Sequence, residues 1–177
     1  MSIKSRPKKS WREKLADRKD LPRVERITGR MSKKWGEGTV VIPVPEEVEE
    51  IMKRVPKGKL ITINIIRAKL AKKHGATIGC PITTGIFAWV AANAAKEAAD
   101  AGEENINPYW RTLKTGGILN EKYPGGVEEQ KKILEKEGHQ LIQKGKKIMV
   151  LDFEKHLDYE PEVHEEVSGI RRAPWKS

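Results

Sequence analysis

Nucleophilic chemistry in this chain would have to start at Cys80, its single cysteine. Cys80 precedes Pro81, a favoured first helical residue, so its thiol would sit where a helix dipole stabilises a thiolate. A reactive thiol also needs a base. No His or acidic residue is close to Cys80 in sequence, so a buried, inert cysteine is the plainer reading and a thiol enzyme the alternative. Tyr109-Trp110, inside Pro108-Tyr109-Trp110-Arg111, offers different chemistry. A phenol with an ordinary pKa of about 10 and an indole that only donates supply neither nucleophile nor base near neutrality. Two adjacent aromatics suit stacking on a nucleobase, worth about 1–3 kcal/mol per base, or they fill a core. The four histidines, His74, His139, His156 and His164, are scattered, and with one cysteine they make no zinc spacing. No metal or other cofactor is implied. One cysteine also permits no internal disulfide, which fits a reducing, cytoplasmic setting.

Charge is unevenly spread. The net charge is +10, and residues 1–34 hold 13 Lys+Arg against 4 Asp+Glu, or +9, leaving 22 against 21 in the rest. A basic arm on a nearly neutral body is a nucleic-acid footprint, because Lys and Arg displace counterions from phosphates. The same charges on a solvated tail would serve solubility alone. No run approaches the roughly 18–20 apolar residues that span a bilayer. Residues 1–9 are basic but lack the apolar stretch of a signal peptide.

The elements that must position these groups follow from periodicity. Trp11 and Leu15, one turn apart, start a short helix within an arm running to residue 44. Thr39-Val40-Val41-Ile42 reads as a strand closed by Pro43 and Pro45. Residues 46–55 read as a helix, with Val48, Ile51, Met52 and Val55 on one face and acidic residues in its first turn. A second helix, capped by Thr62 or Asn64, runs to about Lys73 and ends at Gly75. A third covers residues 82–99 and is apolar almost all round its middle. Residues 112–123 read as a hairpin, residues 127–136 as a fourth helix ended by Gly138, and residues 141–151 as a closing hairpin about Lys144-Gly145-Lys146. From about Asp158 the chain is polar and reads as a loose tail.

Several short motifs stand in order: Val55-Pro56-Lys57-Gly58-Lys59, Leu70-Ala71, Ala92-Asn93-Ala94, Pro108-Tyr109-Trp110-Arg111, Tyr123-Pro124-Gly125-Gly126 and Glu137-Gly138-His139. This collinear series, over roughly residues 41–145, resembles the alkylguanine-DNA alkyltransferase family (methylated-DNA–protein-cysteine methyltransferases). That family reads Pro-Cys-His-Arg, then Tyr-x-Gly-Gly, then Glu-Gly-His. Its Cys takes an alkyl group from damaged guanine, with the His and Glu activating it. The resemblance places Tyr109 at the acceptor Cys and Trp110 at the His, so self-alkylation there is excluded chemically. The chain is in this respect similar to the alkyltransferase-like proteins, which lack the Cys and bind alkylated guanine as a flag, though those usually keep the His.

The resemblance implies an α+β, winged-helix-like DNA-binding fold with a small hairpin wing. Charge and composition set off a basic N-terminal arm (1–44) and a polar tail (158–177), with the winged-helix domain that the resemblance implies between them (45–157). The resemblance implies residues 82–93 as the helix that enters the DNA minor groove, with Thr84 where the family has its base-displacing Arg. The implied DNA-contacting set is Thr83, Thr84, Trp89, Asn93, Tyr109, Trp110, Arg111, Tyr123, Gly125 and Gly126. Tyr109 is expected to face a cleft and Trp110 to be structural. Arg111 is expected to hold the surrounding helix and Glu137 to be a relic or a helix-end ligand. The expected function is DNA binding without catalysis, directed at duplex that is modified or distorted. A protein-interaction module on the same fold is the rival reading.

Overall fold

The long apolar helix expected at residues 82–99 is the beam on which the rest is hung. In the computed structural model, which describes residues 6–159, it runs Pro81–Asp100 as α5. Cys80 caps it, its Sγ accepting from the Thr83 N–H at 3.5 Å, and Pro81 supplies the first helical residue. The inner face, Thr84, Ala88, Ala91, Ala92, Ala95 and Ala98, is buried. Such small side chains let neighbouring helices approach closely. They receive α3 (Pro45–Lys53), which presents Val48 and Met52, and α4 (Ile63–His74), which presents Ile65, Ile66 and Leu70. Thr62 caps α4 through its hydroxyl, which accepts from the Ile65 N–H, and Gly75 ends the helix in a left-handed conformation.

The architecture is α+β, with strands in small separate sets. β1 (Arg23–Arg26) pairs antiparallel with β2 (Thr39–Ile42), and β2 pairs parallel with β4 (Ile78–Gly79). β3 (Ile61–Thr62) pairs parallel with β5 (Thr112–Leu113). β6 (Leu141–Lys144) and β7 (Lys147–Val150) form the expected closing hairpin, turning at Gly145. Gly79 is fixed by packing, since a Cβ on it would lie 2.6 Å from the Arg67 carbonyl oxygen of α4. A second core of Leu60, Leu113, Leu119, Leu134, Val150 and Phe153 joins this hairpin to α6 (Gly126–Lys136).

Two expectations change. The segment expected as an arm to residue 44 is built into the fold. Its α1 (Trp11–Ala16) docks on α5, α2 (Arg30–Trp35) follows β1, and Val40 and Val41 are buried in the sheet. The reason is tertiary: the apolar side chains of residues 27 and 40 form a cluster with Ile78 and Cys80. Residues 112–123 do not make a regular hairpin. β5 pairs with β3 instead, and only the isolated bridge Lys114–Ile118 remains of the expected ladder. Buried Gln130 of α6 holds this loop, accepting from the Asn120 N–H at 2.9 Å and donating to the Trp110 carbonyl at 3.1 Å. Of the expected tail, residues 160–177 lie outside the described residues. Among the described residues no helix is long and apolar enough to cross a membrane.

Candidate nucleic-acid interface

Short motifs far apart in sequence converge on one ion pair. Tyr109–Arg111 forms a single 3-10 turn, which sends the side chain of Arg111 across to Glu137 at the end of α6. Arg111 Nη2 and Nε donate to the Glu137 carboxylate at 2.7 and 3.0 Å, and Nη1 donates to the Val55 carbonyl at 2.7 Å. The Trp110 indole N–H donates to the same carboxylate at 3.0 Å. Burial alone would push the Glu137 carboxyl up. Arg111 and Trp110, with the Gly58 backbone, outweigh that and hold it below the usual carboxylate range. The arrangement is a lock between the residue 55–59 turn, the 3-10 turn and α6. Arg111 and Trp110, both named among the expected DNA contacts, donate inside this lock. Glu137, expected as a relic or a helix-end ligand, is the lock's shared acceptor at the end of α6.

The aromatic pair does not line an open cleft. Tyr109 is only 5% exposed and packs edge-on against Trp110 and Tyr123, with ring centroids 5.4 and 5.8 Å away. Burial pushes its phenol further up from an already high pKa. The expectation of a cleft-facing Tyr109 is corrected: where a catalytic side chain would need solvent, this ring fills the core between α5 and the 3-10 turn. Tyr123 is likewise buried, its phenol raised strongly by burial. Thr84, expected at the DNA surface, is fully buried, because position 84 falls on the alanine face of α5. Gly125, the N-cap of α6, and Gly126, its first residue, take left-handed backbone, and a Cβ on Gly125 would strike Glu129 at 2.6 Å, so a tight turn explains them. Cys80 is buried among Ile27, Val40 and Ile78. His139 is buried edge-on to His156 at 4.9 Å, and burial with that neighbour lowers its pKa. Among the described residues no three His, Cys, Asp or Glu side chains gather as a metal ion would need.

The open face lies on the other side of α5. Ile82, Gly85, Ile86 and Trp89 form an outward stripe along it and, with Ile63, make one wall of a groove of about 690 Å³. Lys114, Asn120, Glu121 and Lys122 make the opposite wall. Of the expected contact residues, only Trp89 lines this groove. Thr83 is half-buried with its hydroxyl oxygen covered, and the Asn93 amide donates to the Trp89 carbonyl within the helix. Sequence reading missed Ile82, Ile86 and Lys122. The available signal was two isoleucines, each one turn or less from a glycine, on the side of α5 opposite its alanines.

The basic segment is fastened at the end of this stripe. Trp11 meets Trp89 edge-on at 4.8 Å, and Lys14 lies 4.0 Å over the Trp11 ring. The Glu97 carboxylate accepts from the N–H groups of Trp11 and Arg12, supplying a cap from α5 to the first turn of α1, and Arg12 pairs with Glu103. Lys9, Arg18 and Arg23 are likewise paired with acidic side chains, while Arg6, Lys8, Arg26, Arg30, Lys33 and Lys34 stand exposed.

No family model matches the chain, and no curated protein matches it. Among solved structures, the chain is similar to two of the S. pombe alkyltransferase-like protein: Atl1 in complex with damaged DNA containing O6-carboxymethylguanine, and ATL in complex with DNA. Each is 19% identical, with the match covering 66% of this chain and 94% of that chain at a TM-score of 0.47.

Proposed function

We propose that the chain binds duplex DNA without transforming it. Helix α5 is the element laid on the duplex, and β6–β7 is the wing of a winged-helix-like fold. The observation that carries the reading is the pairing of an outward apolar stripe on α5 with a basic segment docked at its end through Trp11 and Trp89. The docked segment supplies phosphate contacts, which fix position and most of the affinity. Acceptor chemistry has no group to run on at residues 109–110: the phenol is buried and raised, and the indole N–H is committed to Glu137. The order of the short motifs is that of a fold whose nucleophile has been replaced by packing.

The test is a duplex titration by fluorescence anisotropy over a salt series. The parent should show a steep fall of log affinity with log salt. Changing exposed Arg26, Arg30, Lys33 and Lys34 to Gln should flatten that slope by about 0.9 for each phosphate that is no longer neutralised. An unchanged slope and affinity would remove these cations from the interface. Mass spectrometry after incubation with an alkylguanine oligonucleotide should show the protein mass unaltered; an adduct on Cys80 would make it an enzyme.

A further inference from the structure

We propose that residues 160–177 of this chain pack into the groove beside α5, cover its outward apolar face and so mask it from duplex. The masking rests on the function proposed above; the packing does not. Ile82 and Ile86 are 54% and 47% exposed, more than any other large apolar side chain among the described residues. They stand one turn apart, and at Gly85 between them a Cβ would meet no atom within 4 Å. The result is an apolar ridge with a notch, suited to an occupant that brings apolar side chains of its own.

The course of the chain says which occupant. β3 and β5 run parallel, and they lead directly into Ile63 and Lys114, which stand on the two walls of the groove. The segment before residue 160 runs the same way. Leu157 pairs in parallel with Leu60, whose N–H donates to the His156 carbonyl and whose carbonyl accepts from the Asp158 N–H, each at 2.8 Å. Continuing that register sets residue 160 level with Ile63, at the mouth of the groove. Tyr159 packs against the main core, as Ile63 does, so the last described residue is still held at this edge. A peptide that starts there needs no long linker. Four further residues reach at most about 14 Å, and the tether gives the contact an effective concentration in the millimolar range.

The sequence of the segment matches the groove. Residues 160–166 hold Glu160, Glu162, Glu165 and Glu166 and no Lys or Arg. Lys114 and Lys122 stand on the facing wall; Lys114 shares its charge with Glu121 at 3.2 Å, so Lys122 carries most of the attraction. Val163, Val167 and Ile170 are spaced i, i+4 and i+7, the anchor pattern with which a peptide helix lays its apolar face into a groove. A wall of mixed charge suits such a peptide, acidic at its start and basic at Arg171-Arg172, better than a uniformly anionic chain. Duplex then meets only the fraction of molecules whose α5 face is free, and its apparent affinity falls by that fraction.

The experiment uses the full chain, methyl-labelled at Ile and Val, and a variant carrying Val163→Ser, Val167→Ser and Ile170→Ser, which leaves the net charge unchanged. In the parent, the methyl groups of Ile82 and Ile86 should show nuclear Overhauser contacts to those of Val163 and Val167, independent of protein concentration. In the variant, the Ile82 and Ile86 methyl signals should shift while those of buried Ile65 and Ile66 stay in place. By anisotropy, the variant should bind duplex about five- to tenfold more tightly than the parent, with the same salt slope. Absence of the methyl contacts would overturn the proposal. Contacts that grow with concentration would put a second copy of the chain in the groove and also overturn it. Contacts present with equal duplex affinities would overturn the masking. If neither protein binds duplex, the function proposed above fails, while the methyl contacts still decide whether the groove holds this segment.

Discussion

Residue 109 is where motif and packing disagree most. The motif places a side chain there that would need access to a base, while the structure gives Tyr109 a core position against Tyr123 and Trp110. Tyr109→Ala should therefore cost about 3–5 kcal/mol of folding stability, read by chemical denaturation, and should affect matched and mismatched duplexes alike. A Tyr109→Ala protein of parental stability that had lost only mismatch binding would restore the base-reading role. The neighbouring lock makes a second prediction. Arg111 and Glu137 side chains are 13% and 7% exposed, so removing one partner leaves the other charge stranded. Arg111→Met should cost about 3–5 kcal/mol. Arg111→Met combined with Glu137→Gln should recover part of that loss, because the stranded carboxylate is gone. Equal losses in the single and double variants would mean that packing of the long side chain, rather than charge, carries the lock.

Element by element, what local pattern dictates is readable and what pairing dictates is not. Helices α3 to α6 stand out through apolar period, Pro at a first turn, the Thr62 cap and Gly75. The β6–β7 hairpin is marked by Lys144-Gly145-Lys146. The two-residue strands β3, β4 and β5 carry no period to read, since they exist only through partners some 38 to 51 positions away. The arm misleads because its charge is plain in the sequence while its anchors are single residues: Trp11 and Leu15 at its start, Ile27 and Val40 further on. Leu15 marks a helix face, but the sequence names no partner for that face. Of the candidate site, the helix is legible and its outward side is not. Placing Thr84 by motif alignment chooses the alanine face, and the buried side of an all-apolar helix cannot be told from its periodicity. The docking of α1 has its own consequence. Trp11→Ala removes the ring that meets Trp89, and aromatic pairs contribute about 0.5–1.5 kcal/mol beyond the area they bury. Hydrogen exchange should then quicken across residues 11–16 while α3 and α4 keep their protection, and duplex affinity should fall as the basic segment loses its fixed position. Unchanged exchange in α1 would show that Glu97 and the Arg12–Glu103 pair hold the segment without the ring.

For the whole molecule, the buried titratable groups define a pH window of stability. His139 is held neutral by burial and by His156, with Arg111 adding to that effect and Glu137 opposing it, so its folded pKa is below the ordinary 6.5. The unfolded chain then binds a proton that the folded chain refuses, and stability must decline as pH falls from about 6.5 toward the lowered value. Glu47, which accepts from Lys73, His74 and the Val44 N–H, and Glu137 behave as depressed carboxylates despite their burial. Their contribution is present above the ordinary 4.5 and is lost as pH falls through their lower folded values. At the other end, Tyr109 and Tyr123 have raised phenols, so their contribution is complete below about pH 10 and is lost at higher pH as the unfolded chain ionises first. Stability should accordingly be flat between about pH 7 and 9, with a first decline beginning near 6.5 and a steeper one in the carboxylate range. The first decline belongs to a single side chain and can be isolated. His139→Leu keeps an apolar side chain of similar bulk at a buried position and removes the proton site, so the difference between parent and variant melting temperatures should change between pH 7 and 5 and stay constant from 7 to 9. The general repulsion of a chain with net charge +10 acts on both proteins and cancels in that difference. A difference that stays constant across the whole range would remove His139 as the source of the acid limb and leave the carboxylates to account for it.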